Sequence, residues 1–410
     1  MNYEIKKYRM ADVTITVWKA DKTRLANQEV TIAQTKHKFL FGAAAFDLVP
    51  LANSEYKGEK KVQAEQRAEK LTALFNAATL PFYWARFEPQ RGQPMTERVK
   101  NAAKWCVDHH MLVKGHPLCW HTLTADWLLS MTTSEILQAQ TTRIKRDVAN
   151  FRGLIDIWDV VNEAVIMPIF DKCDNGITRL CNEMGRINTI KAMFDAVRVE
   201  NPSAILLLND FDVSPAYDIL VEGCLKAGIK IDLIGIQSHM HQGYWGVEKT
   251  LKILDHFARF NLPIHFTETT LVSGHLMPPE IVDLNDYQIA EWSTTPEGEE
   301  RQAREVLQHY QTLFAHPLVE SVTWWDLSDG GWLNAPAGLI RKDGSSKPAY
   351  EELLKLVKGE WWIAPTKLTT DGNGKIQFSG FLGEYELTYA GEQKSFSIAK
   401  ENAESIMIEV

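Results

Sequence analysis

Residues 155–163, Ile-Asp-Ile-Trp-Asp-Val-Val-Asn-Glu, carry a short, mostly apolar run into a polar pair, Asn162-Glu163. Amphipathic stretches flank it, 134–151 before and 186–200 after. A short apolar run that stops at polar residues between two helical stretches reads as a buried strand of a βα unit. The same unit recurs in both directions, with apolar runs at 38–45, 74–79, 112–118, 204–208, 233–237, 263–267 and 319–325. Helical patterns at 62–71, 97–110, 216–227, 247–260 and 297–315 alternate with them. Eight such units predict an α/β protein built on a (β/α)8 barrel, often called a TIM barrel, over residues 37–358.

The ends of the chain differ in kind. Residues 11–34 alternate Val, Ile and Thr around a polar turn, and the stretch from 366 onward repeats short strand-like runs around Asp371-Gly372-Asn373-Gly374. Isolated hairpins are marginal. Residues 1–36 and 359–410 are therefore expected to form one small accessory β-module, with the boundary near 361–365. Trp18, Trp361 and Trp362 could contact polysaccharide from it, although a structural role is the expectation.

Composition narrows the function. The 410 residues are 45% hydrophobic and 24% charged, enough for a large core. Lys plus Arg total 44 against 53 for Asp plus Glu, a net charge of −9, so no basic face for nucleic acid is expected. No apolar run approaches the roughly 18 residues that would span a bilayer, and no membrane partner is expected. The opening residues lack an apolar leader, which predicts a cytoplasmic protein, or a secreted one if a leader has been removed. Five cysteines without paired spacing predict reduced thiols, with a Cys173–Cys181 link or metal site a minor alternative.

In a (β/α)8 barrel, reactive groups follow the C-terminal ends of the strands. The fourth predicted strand ends at Asn162-Glu163 and the seventh at Glu268, placing two carboxylates across one mouth. Facing carboxylates are the minimum for glycoside hydrolysis, one giving a proton to the leaving oxygen and one attacking the anomeric carbon. Trp84, Trp120, Trp325 and Trp332 also follow strands, and indole faces suit the C–H faces of pyranose rings. His116, His121, Gln237 and His239 add neutral donors and acceptors.

The segments FGAAAF, EPQRGQ, GHPLCWH, WDVVNEA, LLLNDFD, IGIQSHMH, FTETT and WWDLSDGGW, in that order, resemble glycoside hydrolase family 10, chiefly endo-1,4-β-xylanases. The resemblance covers about residues 37–356. It implies Glu163 as acid/base, Glu268 as nucleophile and retention of configuration, with no cofactor and no metal. It further implies that Asn162 bonds the sugar 2-hydroxyl, that Gln237 and His239 border the nucleophile, and that His116 and Trp120 line the cleavage subsite. A β-linked oligosaccharide or polysaccharide would be the substrate.

Some family positions differ. The Glu, Asn and Lys that hold the non-reducing-side sugar at the end of strand 2 correspond to Thr79, Leu80 and Tyr83. Leu123 stands for a Gln, and Thr270 for the Asp that would anchor His239. Leu80, Phe82, Tyr83 and Leu123 are expected to favour a less hydroxylated or acylated sugar. Alternatives are a glycosidase for another β-linked glycan, a non-catalytic carbohydrate-binding protein on this scaffold, and a metallohydrolase using His239, His241 and Asp326 or Asp329.

Overall fold

The computed structural model describes residues 3–400 and 404–410. A helix, Tyr3–Arg9, leads into β1 (Met10–Trp18) and β2 (Glu29–His37). The eight barrel strands follow: β3 (Leu40–Ala44), β4 (Ala77–Pro81), β5 (Leu112–His116), β6 (Ile157–Asn162), β7 (Ile205–Asp210), β8 (Leu233–Ile236), then, after the two-residue β9 (His239–Met240), β10 (Ile264–Leu271) and β11 (Val319–Trp324). All pair in parallel in chain order, and β10–β11 and β11–β3 ladders close the ring. The expected (β/α)8 barrel is what the chain forms.

Each crossover helix buries one face on this ring. The helix Thr133–Phe151 shows why: Thr132 caps it through a reciprocal box with Glu135, and Ile136, Ile144, Val148 and Phe151 face the core. Between strand and helix, Gly115 on β5 leaves room for the Trp158 indole, which packs on Phe151, since a Cβ there would lie 2.2 Å from the indole.

The terminal segments pair with each other. Five more strands, β12 (Thr366–Thr369), β13 (Lys375–Phe381), β14 (Gly383–Tyr389), β15 (Glu392–Ile398) and β16 (Glu404–Glu409), join β1 and β2 in two sheets, ordered β13-β1-β16 and β12-β2-β14-β15. Val13, Ile15 and Val17 meet Ile32, Tyr385, Leu387 and Ile398 in a separate core. Trp361 is buried, the Arg24 guanidinium covers Trp18, and Trp362 packs against His37 and Lys358, so each has protein partners.

Arg9 couples the module to the barrel. Its Nε donates to Phe314 O at 2.7 Å and its Nη2 to Val319 O at 2.6 Å, beneath the Phe39 and Phe314 rings. Because charge-assisted bonds to buried carbonyls are lost together, Arg9→Ala should lower unfolding stability by about 2–3 kcal/mol. Urea unfolding followed by circular dichroism measures it.

Candidate active site

The barrel mouth opens into a cleft of about 1460 Å3. Tyr83, His116, Trp120, Asn162, Glu163, Gln237, His239, Glu268, Trp325 and Trp332 all line it. Trp84 does not. The chain after β4 enters a one-turn helix, Trp84–Phe87, which turns this indole inward against Trp127 and Arg143, with Nε1 donating to Glu88. Tyr83, one residue earlier, faces the cleft instead, its ring 5.6 Å from that of Trp120. Leu80 and Phe82 also correct the sequence reading, because both are wholly buried in the barrel core and only Tyr83 and Leu123 of that set reach the cleft.

Glu163 sits immediately past β6 in the left-handed region, φ 55°. A non-glycine residue tolerates this only where its surroundings impose it. Here its N–H donates to Asn209 O at 2.8 Å and its carbonyl accepts from Met167 N–H at 3.2 Å. The side chain is thereby turned into the mouth. Trp120 Nε1 donates to Oε2 at 2.8 Å, while Gln237 Nε2 and Asn162 Nδ2 each lie 3.2 Å from Oε1. Burial pushes the carboxyl up to about 7, opposed by the Trp120 bond and reinforced by the negative field of Glu268.

Glu268 lies within β10, held differently. Asn209 Nδ2 donates to its Oε1 at 2.9 Å, and His239 Nε2 meets its Oε2 at 3.1 Å. His239 Nδ1 is 3.3 Å from Thr270 Oγ1, a neutral partner where the resemblance led to an Asp. His116 turns Nδ1 to Asp159 at 2.6 Å, and Asp159 in turn pairs with Lys114 at 3.1 Å. Against the burial that would raise it, Lys114 and His116 hold Asp159 below its ordinary range. Burial keeps His121, beside Glu163, neutral by lowering it to about 4.

Sequence reasoning missed Asn209. Its Nδ2 reaches both Asn162 Oδ1 (2.8 Å) and Glu268 Oε1, and its Oδ1 accepts from Thr267 Oγ1 at 2.6 Å. The available signal was a polar residue directly after the apolar run 204–208. Asp210, its neighbour, is fully buried, accepts the Val165 and Asp212 N–H groups, and is raised to about 8 by burial. The metallohydrolase alternative finds no group of three His, Cys, Asp or Glu side chains placed to hold an ion among the described residues. His241 packs against Trp292 and Trp332. All five cysteines are free thiols, four of them buried.

A profile of glycosyl hydrolase family 10 matches residues 37–356. The chain belongs to glycosyl hydrolase family 10. Among its relatives are endo-1,4-beta-xylanase C of Paenibacillus barcinonensis, 24% identical over 74% of this chain and 31% of that one, and endo-1,4-beta-xylanase B of Thermotoga neapolitana, 30% identical over 50% and 61%. Anti-sigma-I factor RsgI6 of Acetivibrio thermocellus is 24% identical over 94% of this chain and 46% of its own, an alignment reaching beyond the family profile into the terminal strands. The chain thus spans from under a third to about three fifths of the length of these relatives. Of solved structures, xylanase 10B of Thermotoga petrophila in complex with xylobiose superposes with a TM-score of 0.62 at 22% identity, covering 78% of this chain and 95% of that one, a likeness of fold.

The two carboxyls of this family 10 site differ in environment, which has a consequence for stability. A carboxyl raised to about 7 in the fold but near 4.5 unfolded costs native stability as pH rises from about 4.5 through 7, because the native state resists ionisation. Glu163→Gln removes that cost while keeping the Trp120 contact. The variant should gain about 1–3 kcal/mol over wild type at pH 8 and little at pH 4, read by thermal or urea unfolding at both.

Proposed function

We propose that the protein is a retaining β-glycoside hydrolase acting on xylan-like β-linked glycans. The observation that carries this reading is the pair Glu163 and Glu268, two carboxyls in one cleft joined by a shared amide network, the first raised by burial and the second held on both oxygens by Asn209 and His239. Glu163, raised to about 7, holds a proton at neutral pH and can deliver it to a glycosidic oxygen. Glu268, fixed on both oxygens by Asn209 and His239, can attack the anomeric carbon.

The chemistry proceeds in two displacements. Glu268 forms a bond to the anomeric carbon as the glycosidic C–O bond breaks, and the Glu163 proton goes to the departing oxygen. In the glycosyl–enzyme, Glu268 carries no charge, so its contribution to raising Glu163 disappears and Glu163 becomes a better base. Glu163 then takes a proton from water, whose oxygen attacks the anomeric carbon and releases Glu268, restoring the original configuration. Asn162, linked to Glu163 directly and to Glu268 through Asn209, would bond the sugar 2-hydroxyl, a hydrogen bond that strengthens in the transition state. Trp120, Trp325 and Tyr83 offer ring faces and edges to the sugar.

A second reading concerns which sugar occupies the Tyr83 side. Thr79 and Leu80 stand in the barrel core, and Tyr83 and Leu123 line the cleft where the family carries polar groups. Apolar walls there favour a sugar with fewer free hydroxyls, such as an acylated or methylated unit. A panel of plain and acetylated xylo-oligosaccharides and other β-linked glycans discriminates the two.

Glu163→Ala and Glu268→Ala should each lower turnover of the best panel substrate by at least about 1000-fold. With an aryl β-glycoside whose leaving group needs no proton, azide added to Glu163→Ala should restore turnover and yield a β-azide, which proton NMR detects, whereas inversion would give the α product. For wild type, kcat/KM should fall as pH rises through about 7, since Glu163 must be protonated to act as acid. Turnover unchanged by either substitution would sink the assignment.

A further inference from the structure

The line between Glu163 and Glu268 divides the mouth into two chemically unlike halves. Loops after β11, β3 and β4 bring Trp325, Phe46 and Tyr83 to one side, with His116 at the end of β5. On the other, loops after β6, β7 and β10 bring Ile169, Phe211 and Val282, which are 71%, 45% and 98% exposed. These three offer no side-chain partners to a row of sugar hydroxyls. Any glycan cleaved here passes between the ends of β6 and β10, because those strands carry the two carboxyls on opposite sides of the mouth.

The segments following those two strands meet across that passage. Lys172, after β6, donates from Nζ to both oxygens of Asp286 at 3.0 and 3.1 Å and lies 3.8 Å from Asp283, both after β10. The insertion that carries these aspartates, 273–295, is independently braced. Trp332 Nε1 donates to Asn285 Oδ1 at 3.1 Å, and Gln242 Nε2 donates to Pro278 O and Ile281 O at 2.9 and 2.8 Å. Val272, Met277 and Trp292 form a small core with Ala335 and Ala337 at its base. The arm is therefore fixed at its root, and its tip is joined to the far wall by charge.

We propose that Lys172, Asp283 and Asp286 form a clasp across the half of the cleft away from Tyr83, restricting the enzyme to short oligosaccharides and chain ends and excluding the interior of a polymer. The proposal rests on the hydrolase reading above and names the substrate class of that same site. A chain end can slide beneath a bridge of this kind; an internal segment, continuous on both sides, cannot enter until it opens. Since Lys172 and Asp286 are solvent-exposed and Asp283 is half-buried, added salt weakens the bridge.

The test compares wild type, Lys172→Ala and the exchanged pair Lys172→Asp with Asp286→Lys on xylotetraose and on soluble xylan, reading reducing ends formed and viscosity lost per bond cut. Wild type should cut xylotetraose well and reduce xylan viscosity little. Lys172→Ala should raise the xylan rate about fivefold or more with the tetraose rate within about twofold, as loss of one exposed bridge allows. The exchanged pair should return toward wild type. Added sodium chloride should raise xylan cutting by wild type and leave Lys172→Ala unmoved. A wild type that lowers viscosity per bond as steeply as Lys172→Ala, or a ratio of rates unchanged by substitution and salt, overturns the clasp alone. Absence of turnover on both substrates by wild type overturns the xylan-directed reading and, with it, the clasp that rests on that reading.

Discussion

One buried amide holds the site together. Asn209 Nδ2 lies within hydrogen-bond reach of Asn162 on β6 and of Glu268 on β10, while Thr267 fixes its oxygen. Gln237, after β8, reaches the same Asn162 oxygen at 3.1 Å and continues to Glu163. Four barrel strands are thereby linked across the mouth through side chains alone. The amide needs space, and Gly235 on β8 supplies it, since a Cβ there would stand 2.4 Å from Asn209 Oδ1. In a water-poor interior an unpaired amide or carboxylate is costly, so each member constrains the next.

That constraint explains how two carboxyls in one cleft acquire different characters. Glu163 accepts hydrogen bonds from an indole and two amides, neutral donors that do not offset its burial. Glu268 faces the imidazole of His239 and the Asn209 amide. Behind it Lys114 pairs with Asp159, and Asp159 lies 2.6 Å from His116 Nδ1, holding that ring in place at the floor of the mouth. The left-handed backbone at Glu163 belongs to the same logic: the conformation is unfavourable in isolation and is maintained by main-chain bonds to Asn209 and Met167.

Much of this was legible in the sequence because barrel periodicity is repetitive and strand ends mark chemistry. The eight apolar runs and the paired Asn162-Glu163 and Glu268 could be read without coordinates, as could the aromatic and amide residues around them. Three kinds of feature could not. Trp84 and Tyr83 are adjacent and equally aromatic, and only the one-turn helix after β4 decides which enters the cleft. Leu80 and Phe82 look like cleft walls by position but pack outward against the helix layer, Phe82 on Phe151 and Trp158, because side chains alternate along a strand. Asn209 gave only a weak signal, since its role depends on residues 47 and 59 positions away.

The loops above the barrel follow a different economy from the strands beneath. Lys347 is completely buried, and its ammonium bonds Ser273 Oγ after β10, Asp329 Oδ1 after β11 and Gly338 O. Removing Asp329 would leave a buried charge uncompensated, so the roots of both loops are fixed. Asp326, accepting the Trp332 N–H, orients the segment that brings Trp332 over His239, ring centroids 4.5 Å apart. The tips, by contrast, are joined by exposed groups such as Lys172 and Asp286, whose mutual attraction is screened and readily exchanged for water. Rigid roots with yielding tips keep the carboxyl geometry independent of what happens at the entrance, so the rim can change which glycan enters without disturbing the chemistry below it.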